Sequence, residues 1–233
     1  MGFTFVFGWV MMAWDHSMSM DPDFQSTMYG WQFFMGGWLV SLMAFSLLVR
    51  AWRNHLNAHA VITDVHLHDI GKLCFAFTAF WGYLTFSQLL VIWYGNMGEE
   101  TFWFHKRLSA PWTQLAVSVG FLVFAAPFFG LLGKAPKLFT PTMTVFAISS
   151  MIGIWLHRYL EVYPGIYGNP ASLPLGIWEI GTFVGFLGLW GYLYIGFMNA
   201  FPRMRVVLMT SPYRDEVQVP VDPRTMEPLP AHE

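Results

Sequence analysis

Residues 68–100 read HDIGKLCFAFTAFWGYLTFSQLLVIWYGNMGEE. From Ile70 to Asn96 the stretch is apolar and rich in aromatic rings. At about 1.5 Å per residue it is long enough to cross the roughly 30 Å hydrocarbon core of a bilayer. Its mouth carries His68, Asp69 and Lys72, its interior Ser87 and Gln88, and its far end Asn96, Glu99 and Glu100. Charge at the mouth of a spanning segment is expensive unless it is paired or used. The stretch therefore sets the class of the chain as an integral membrane protein.

Composition agrees. Of 233 residues, 55% are hydrophobic and 11% charged, where a soluble domain carries about a quarter charged. The net charge of -2 gives no electrostatic reason to bind nucleic acid. One cysteine, Cys74, lies inside an apolar run, which leaves no disulfide framework and no thiolate metal site.

Working outward, four more runs have spanning length: Tyr29 to Trp52, Trp112 to Gly133, Leu138 to Val162 and Leu175 to Phe201. Proline marks their ends, with Pro111, Pro141 and Pro174 near starts and Pro164 and Pro202 after ends. Pro127 falls inside the third run and predicts a kink there. Gly2 to Trp14 is apolar but too short to span, and reads as the exit half of a spanning helix. The expected fold is an all-α, polytopic transmembrane helix bundle with five full spans plus a partial N-terminal helix. Its parts are 1–28 (partial helix and outer loop), 29–202 (five-span bundle) and 203–233 (polar tail).

If the five spans alternate, Arg50, Arg53, Lys72, Lys134, Lys137 and the tail arginines 203, 205, 214 and 224 share one side. The positive-inside rule makes that side cytoplasmic, in the inner membrane of a bacterium, with the C-terminus inside. Asp15, Asp21 and Asp23 then face outward, as do Lys106 and Arg107.

Two groups of polar residues are candidates for chemistry. At the outer ends of the spans lie Gln88, His157, Arg158, Glu161 and Glu179. Glu161 is four residues from His157 and three from Arg158, so it can pair with either on one helix face. Such a cluster is a packing ion pair or a quinone-proximal proton site in which His157 exchanges a proton and Glu161 or Glu179 passes it on. At the inner end, Asp69 and Lys72 form either a helix cap or the start of a proton path. His55, His59, His66 and His68 crowd one connection, but their spacing matches no zinc signature, and they read as a polar loop. A b-type haem needs two facing histidines, and only His157 lies within a run. The glycines 181, 185, 188 and 191 recur at helical spacing and read as a close-packing face.

Several motifs together carry a resemblance. His68 to Leu73, Phe80-Trp81-Gly82-Tyr83, Phe86-Ser87-Gln88, Trp93 and Asn96 to Glu100, with the earlier Asp15 to Pro22 and Ser26 to Gly30, resemble the ActF family. These are the NrfD/polysulfide-reductase-like membrane subunits of bacterial alternative complex III. The resemblance covers Ala13 to Phe201 and matches the C-terminal part of family members; His16 stands where tryptophan is usual. It implies a subunit of a quinol:electron-acceptor (cytochrome c) oxidoreductase that is scaffold and possible proton path beside the quinol-oxidising subunit. It further implies no intrinsic redox centre, haem c and iron–sulfur clusters in partner subunits, contacts with lipids and other subunits, and menaquinol or ubiquinol as the quinone. The alternative is a purely structural membrane subunit of a terminal oxidase or other electron-transfer complex.

Overall fold

The computed structural model describes residues 2–55, 59, 62–168, 170 and 172–200. The tail 203–233 and its arginines lie outside the described residues. All regular structure among them is helical: α1 (Gly2–His16), a 3-10 turn (Met18–Met20), α2 (Thr27–His55), α3 (Asp64–Gly95), α4 (Gly98–Leu108), α5 (Trp112–Val119), a π segment (Gly120–Ala125), α6 (Ala126–Gly130), α7 (Lys134–Leu138), α8 (Thr140–Tyr167) and α9 (Ile177–Ala200). Four helical stretches are long and apolar enough to cross a membrane: Thr27–His55, Asp64–Gly95, Trp112–Gly130 and Ile177–Ala200. Leu138 to Val162, expected as a span, lies largely within α8, which is 28 residues long but is not among the four. Its opening threonines, paired serines and His157-Arg158 dilute its apolar character.

Two units divide the chain. The first holds residues up to Leu48 with Leu67–Pro174; the second holds Val49–His66 and the segment from Leu175 onward. In the first unit, α3 buries Leu67, Gly71, Cys74, Thr78, Trp81, Leu84, Gln88 and Ile92, a stripe repeating every three or four residues. A matching stripe on α8 runs Met143, Ala147, Ser150, Ile154, His157, Glu161 and Pro164. Helical period thus carries Gln88, His157 and Glu161 into the interior on the same faces as Cys74 and Ala147. The core between them takes Leu39 and Met43 from α2 and Val123 from the π segment, each fully buried.

At Pro127, where a kink was expected, the preceding turn is widened. Lacking an N–H and crowding the carbonyl of Val123, the proline cannot extend regular α pairing, and the preceding turn becomes the π segment Gly120–Ala125. The Ser149 hydroxyl of α8 donates to the Leu122 carbonyl at 3.0 Å, satisfying an acceptor inside that segment. Such closeness needs Gly153, where a Cβ would lie 2.6 Å from Val123 Cγ2 and 3.2 Å from the Val123 backbone nitrogen.

Pro164 departs from expectation. It lies inside α8, which continues to Tyr167 and stops at Gly168, whose φ of +65° suits glycine. In the second unit, Trp52 Nε1 donates to Tyr194 Oη at 2.5 Å, and Trp190 stacks on Tyr194. Arg53 pairs with Asp64 at 2.8 Å. A Cβ at Gly181, Gly185, Gly188 or Gly191 would meet nothing within 4 Å among the described residues, so no neighbour occupies the expected packing face.

Candidate functional site

One helical turn of α8 supplies the centre of the site. His157 and Glu161 lie one above the other on its buried stripe, with His157 Nδ1 3.4 Å from Glu161 Oε1. Neither of these two atoms has a hydrogen-bond partner. Arg158, on the adjacent face, holds the other carboxylate oxygen, Oε2, and donates to the Phe33 carbonyl at 3.0 Å with its guanidinium 3.8 Å above the Phe33 ring. Gly36 makes the passage for this arginine, because a Cβ there would collide with Arg158 Nη2. Glu161 is therefore fixed through Oε2, while Oε1 faces His157 Nδ1 and makes no hydrogen bond among the described residues.

Facing it, α3 contributes Trp81 and Gln88. The Trp81 ring meets His157 edge-on at 5.4 Å. Trp81 Nε1 and Gln88 Nε2 are both buried without a hydrogen-bond partner. On α2, Gln32 donates to Thr85 Oγ1 at 2.9 Å. These residues line a half-open pocket of about 330 Å³ together with Phe86, Phe124, Trp103, Val119 and Leu160. The π segment contributes Gly120 and Phe124 to its wall. An apolar, aromatic cavity with a few unsatisfied polar atoms is the normal make-up of a small-molecule site. Four buried polar atoms without partners in one place need an explanation beyond packing.

Arg107 closes the α4 end. The sequence pattern of α4 suits the helix dipole, with Glu99 and Glu100 in its first turn and His105, Lys106 and Arg107 in its last. Arg107 is buried all the same. Its Nη2 donates to Asp21 Oδ2 at 2.8 Å and to the Glu161 carbonyl at 2.5 Å. Its Nε donates to the Leu160 carbonyl and its Nη1 to the Trp103 carbonyl, both at 3.1 Å. The Trp103 ring lies 3.7 Å beneath the guanidinium. Burial lowers the Arg107 pKa, and the hydrogen bond and charge of Asp21 oppose that shift. Lys106 adds a 3.3 Å contact to Asp21 Oδ1.

The expected site residues are thus only partly brought together. His157, Glu161 and Gln88 share the cavity, while Arg158 stands behind Glu161. Asp69 and Lys72 pair with each other at 2.6 Å on an exposed face. They sit roughly 24–29 Å from Gln88 along the axis of α3. Glu179 belongs to the second unit, where its Oε2 accepts from the Gly176 N–H at 2.8 Å and caps α9. Asp21, placed on the outer side by the charge pattern, is buried at 6% exposure against Arg107 and Lys106. Trp81 and Arg107 were not foreseen as site residues. Placing Pro164 inside the helix, and not after its end, would have left the Leu160 carbonyl without its helical donor and so asked for one nearby. Among the described residues no group of three or more His, Cys, Asp or Glu could hold a metal ion. His157 is the one histidine lining the cavity, so its donor set does not fit two axial haem ligands.

No protein-family model matches the chain, and no curated protein is significantly similar to it.

Proposed function

We propose that this chain is a membrane subunit of a quinol:electron-acceptor oxidoreductase of the alternative complex III kind, and that its buried cavity takes the ring of a quinone or quinol. The carrying observation is the 330 Å³ pocket whose lining residues carry four buried polar atoms with no hydrogen bond among the described residues, two of them the facing His157 Nδ1 and Glu161 Oε1. A quinone ring is flat, apolar and bears oxygens on opposite sides. Trp81 Nε1 and Gln88 Nε2 supply N–H donors from one helix, and Glu161 Oε1 supplies an acceptor from another. A quinol hydroxyl donates to Glu161 Oε1, with His157 beside it to share the proton. The walls of Phe86, Trp103 and Phe124 exclude water and stack against the ring.

On this reading α8 is the fifth span alongside the four apolar helices, and the Asp21–Arg107 end faces away from the cytoplasm. The bacterial inner membrane is its location and the tail is cytoplasmic. Iron–sulfur and haem c groups belong to partner subunits, which receive the electrons. The Arg107 network supports a scaffold role as well, because it ties α4 and the Asp21 turn to the end of α8.

The test is photolabelling of the full chain in lipid vesicles with a short-chain azido-quinone, followed by peptide mapping. Label on peptides of α3 and α8, suppressed by excess unlabelled menaquinone or ubiquinone analogue, is the expected result. Label that excess quinone does not suppress would leave the purely structural reading.

A further inference from the structure

Gln88 lines two cavities, not one. It also lines an open cleft of about 480 Å³, with Met28, Val91, Gln25, Ser26, Thr27 and Glu100 among the other residues. The two spaces differ in chemistry. The first is apolar and contains the His157–Glu161 pair, whereas the second is bordered by side chains that bind water and by a carboxylate in the first turn of α4. Gln88 is 2% exposed, and its Nε2 donates to nothing among the described residues. A donor buried that deeply and left unpartnered is costly, unless water reaches it from one side or the other. Gln88 is common to the lining of both spaces.

We infer that Gln88 gates a proton route between the ligand cavity and the second cavity, with Glu100 at its far end. This deepens the ligand-site reading above, but the geometry of the two cavities stands without it. The transfer is one of protons alone. The Glu161 O–H bond breaks as a water O–H forms. The excess proton then moves by exchange of O–H bonds along water past Gln88. Glu100 Oε accepts it, and no electron moves along this path. A glutamine suits a gate: its amide donates to and accepts from water without ionising, so it orients a water chain and stores no charge.

The experiment uses the full chain in lipid vesicles with Cys74→Ala, which removes the one native thiol. A probe thiol is placed by His157→Cys in the inner cavity or by Thr27→Cys in the second. The readout is the rate of reaction with Ag⁺, an ion small enough to follow a water route, scored by protection from alkylation in mass spectrometry. With native Gln88 both probes react. Gln88→Phe is expected to slow the His157→Cys probe at least tenfold and Gln88→Ala to speed it, while the Thr27→Cys rate stays constant in all three backgrounds. A His157→Cys rate indifferent to residue 88, or no reaction with Ag⁺ when Thr27→Cys reacts, overturns the gate. Gln88→Ala removes atoms and adds none, so it keeps the test open if Gln88→Phe fails to fold. Photolabelling by quinone is scored separately, so loss of the ligand site and loss of the gate give different results.

Discussion

Arg107 donates to the carbonyl oxygen of Leu160, the acceptor that Pro164, with no N–H, cannot serve. An ordinary helix would satisfy that carbonyl from residue 164. Here a side chain 53 residues away does so at 3.1 Å and uses its remaining nitrogens on Asp21, Glu161 and Trp103. The proline and the arginine are one device, and it allows α8 to extend a further turn past Glu161.

Coupling between the two is therefore predicted. Arg107→Leu leaves Asp21 buried beside Lys106 alone and removes the side-chain donor from three carbonyls, those of Leu160, Glu161 and Trp103, a loss of about 3–5 kcal/mol by comparison with other broken buried pairs. Pro164→Ala restores the helical N–H for Leu160. In that background Arg107→Leu should cost about 1 kcal/mol less, the net value of a single hydrogen bond. Unfolding of purified chain in mixed detergent micelles measures all four corners of the cycle. Strict additivity would show that the proline and the arginine act independently.

At the π segment, Gly153→Ala is expected to destabilise by about 1–3 kcal/mol, the usual cost of overpacking. Its added carbon meets the Val123 backbone nitrogen at 3.2 Å as well as the Leu122 and Val123 side chains, so a rotamer change cannot relieve it. Gly120→Ala is the control. A Cβ there meets nothing within 4 Å, and its stability should be unchanged or slightly higher. The same unfolding assay separates them, and equal effects would remove close packing as the cause.

How much of this was readable beforehand follows from distance along the chain. The His157, Arg158 and Glu161 cluster was legible because three- and four-residue spacings fix neighbours on any helix. Pro127 was legible for the same reason, since its effect falls on its own preceding turn. The Asp21–Arg107 pair was not, because 86 residues separate the partners and each looks like an ordinary surface charge near a helix end. Glu179 looked like a member of the outer cluster, yet its observed bond is to its own helix start, which spacing alone equally allows. Trp81 was hidden among the aromatic residues of α3. Its importance comes from the orphaned indole nitrogen, which composition does not reveal.

Gly36→Ala and Arg158→Gln should have the same consequence for the cavity. Each removes the grip on Glu161 Oε2, the first by blocking the passage of the guanidinium and the second by deleting its charge. A hydrogen bond to a charged group is worth about 1.5–3 kcal/mol, so each change should weaken quinone-analogue binding by about tenfold or more. The double variant should be no worse than either single one. A binding titration in vesicles checks this, and losses that multiply would place Gly36 and Arg158 in separate roles.

Lys72→Ala is expected to do little. An exposed pair three residues apart contributes about 0.3–0.5 kcal/mol, and both side chains are more than half exposed. Unfolding should shift by less than about 1 kcal/mol, and quinone-analogue affinity should be the same. Proton uptake that falls in Lys72→Ala while stability holds would restore the inner residues to the proton path.

Trp81→Phe isolates the indole N–H. The phenyl ring preserves the edge-on contact with His157 and most of the cavity wall, and removes a donor that has no hydrogen-bond partner among the described residues. Since Nε1 is buried and unsatisfied in the absence of ligand, its removal should leave stability unchanged or slightly raised. Binding is expected to respond in the opposite sense. If the indole donates to a ligand oxygen, loss of that bond costs about 0.5–1.5 kcal/mol, or roughly two- to twelvefold in affinity. The contrast between stability and affinity is the signature of a donor kept for a ligand. Trp81→Phe that destabilises the chain and leaves affinity untouched would make Trp81 a packing residue and move the polar face of the site to Gln88 alone.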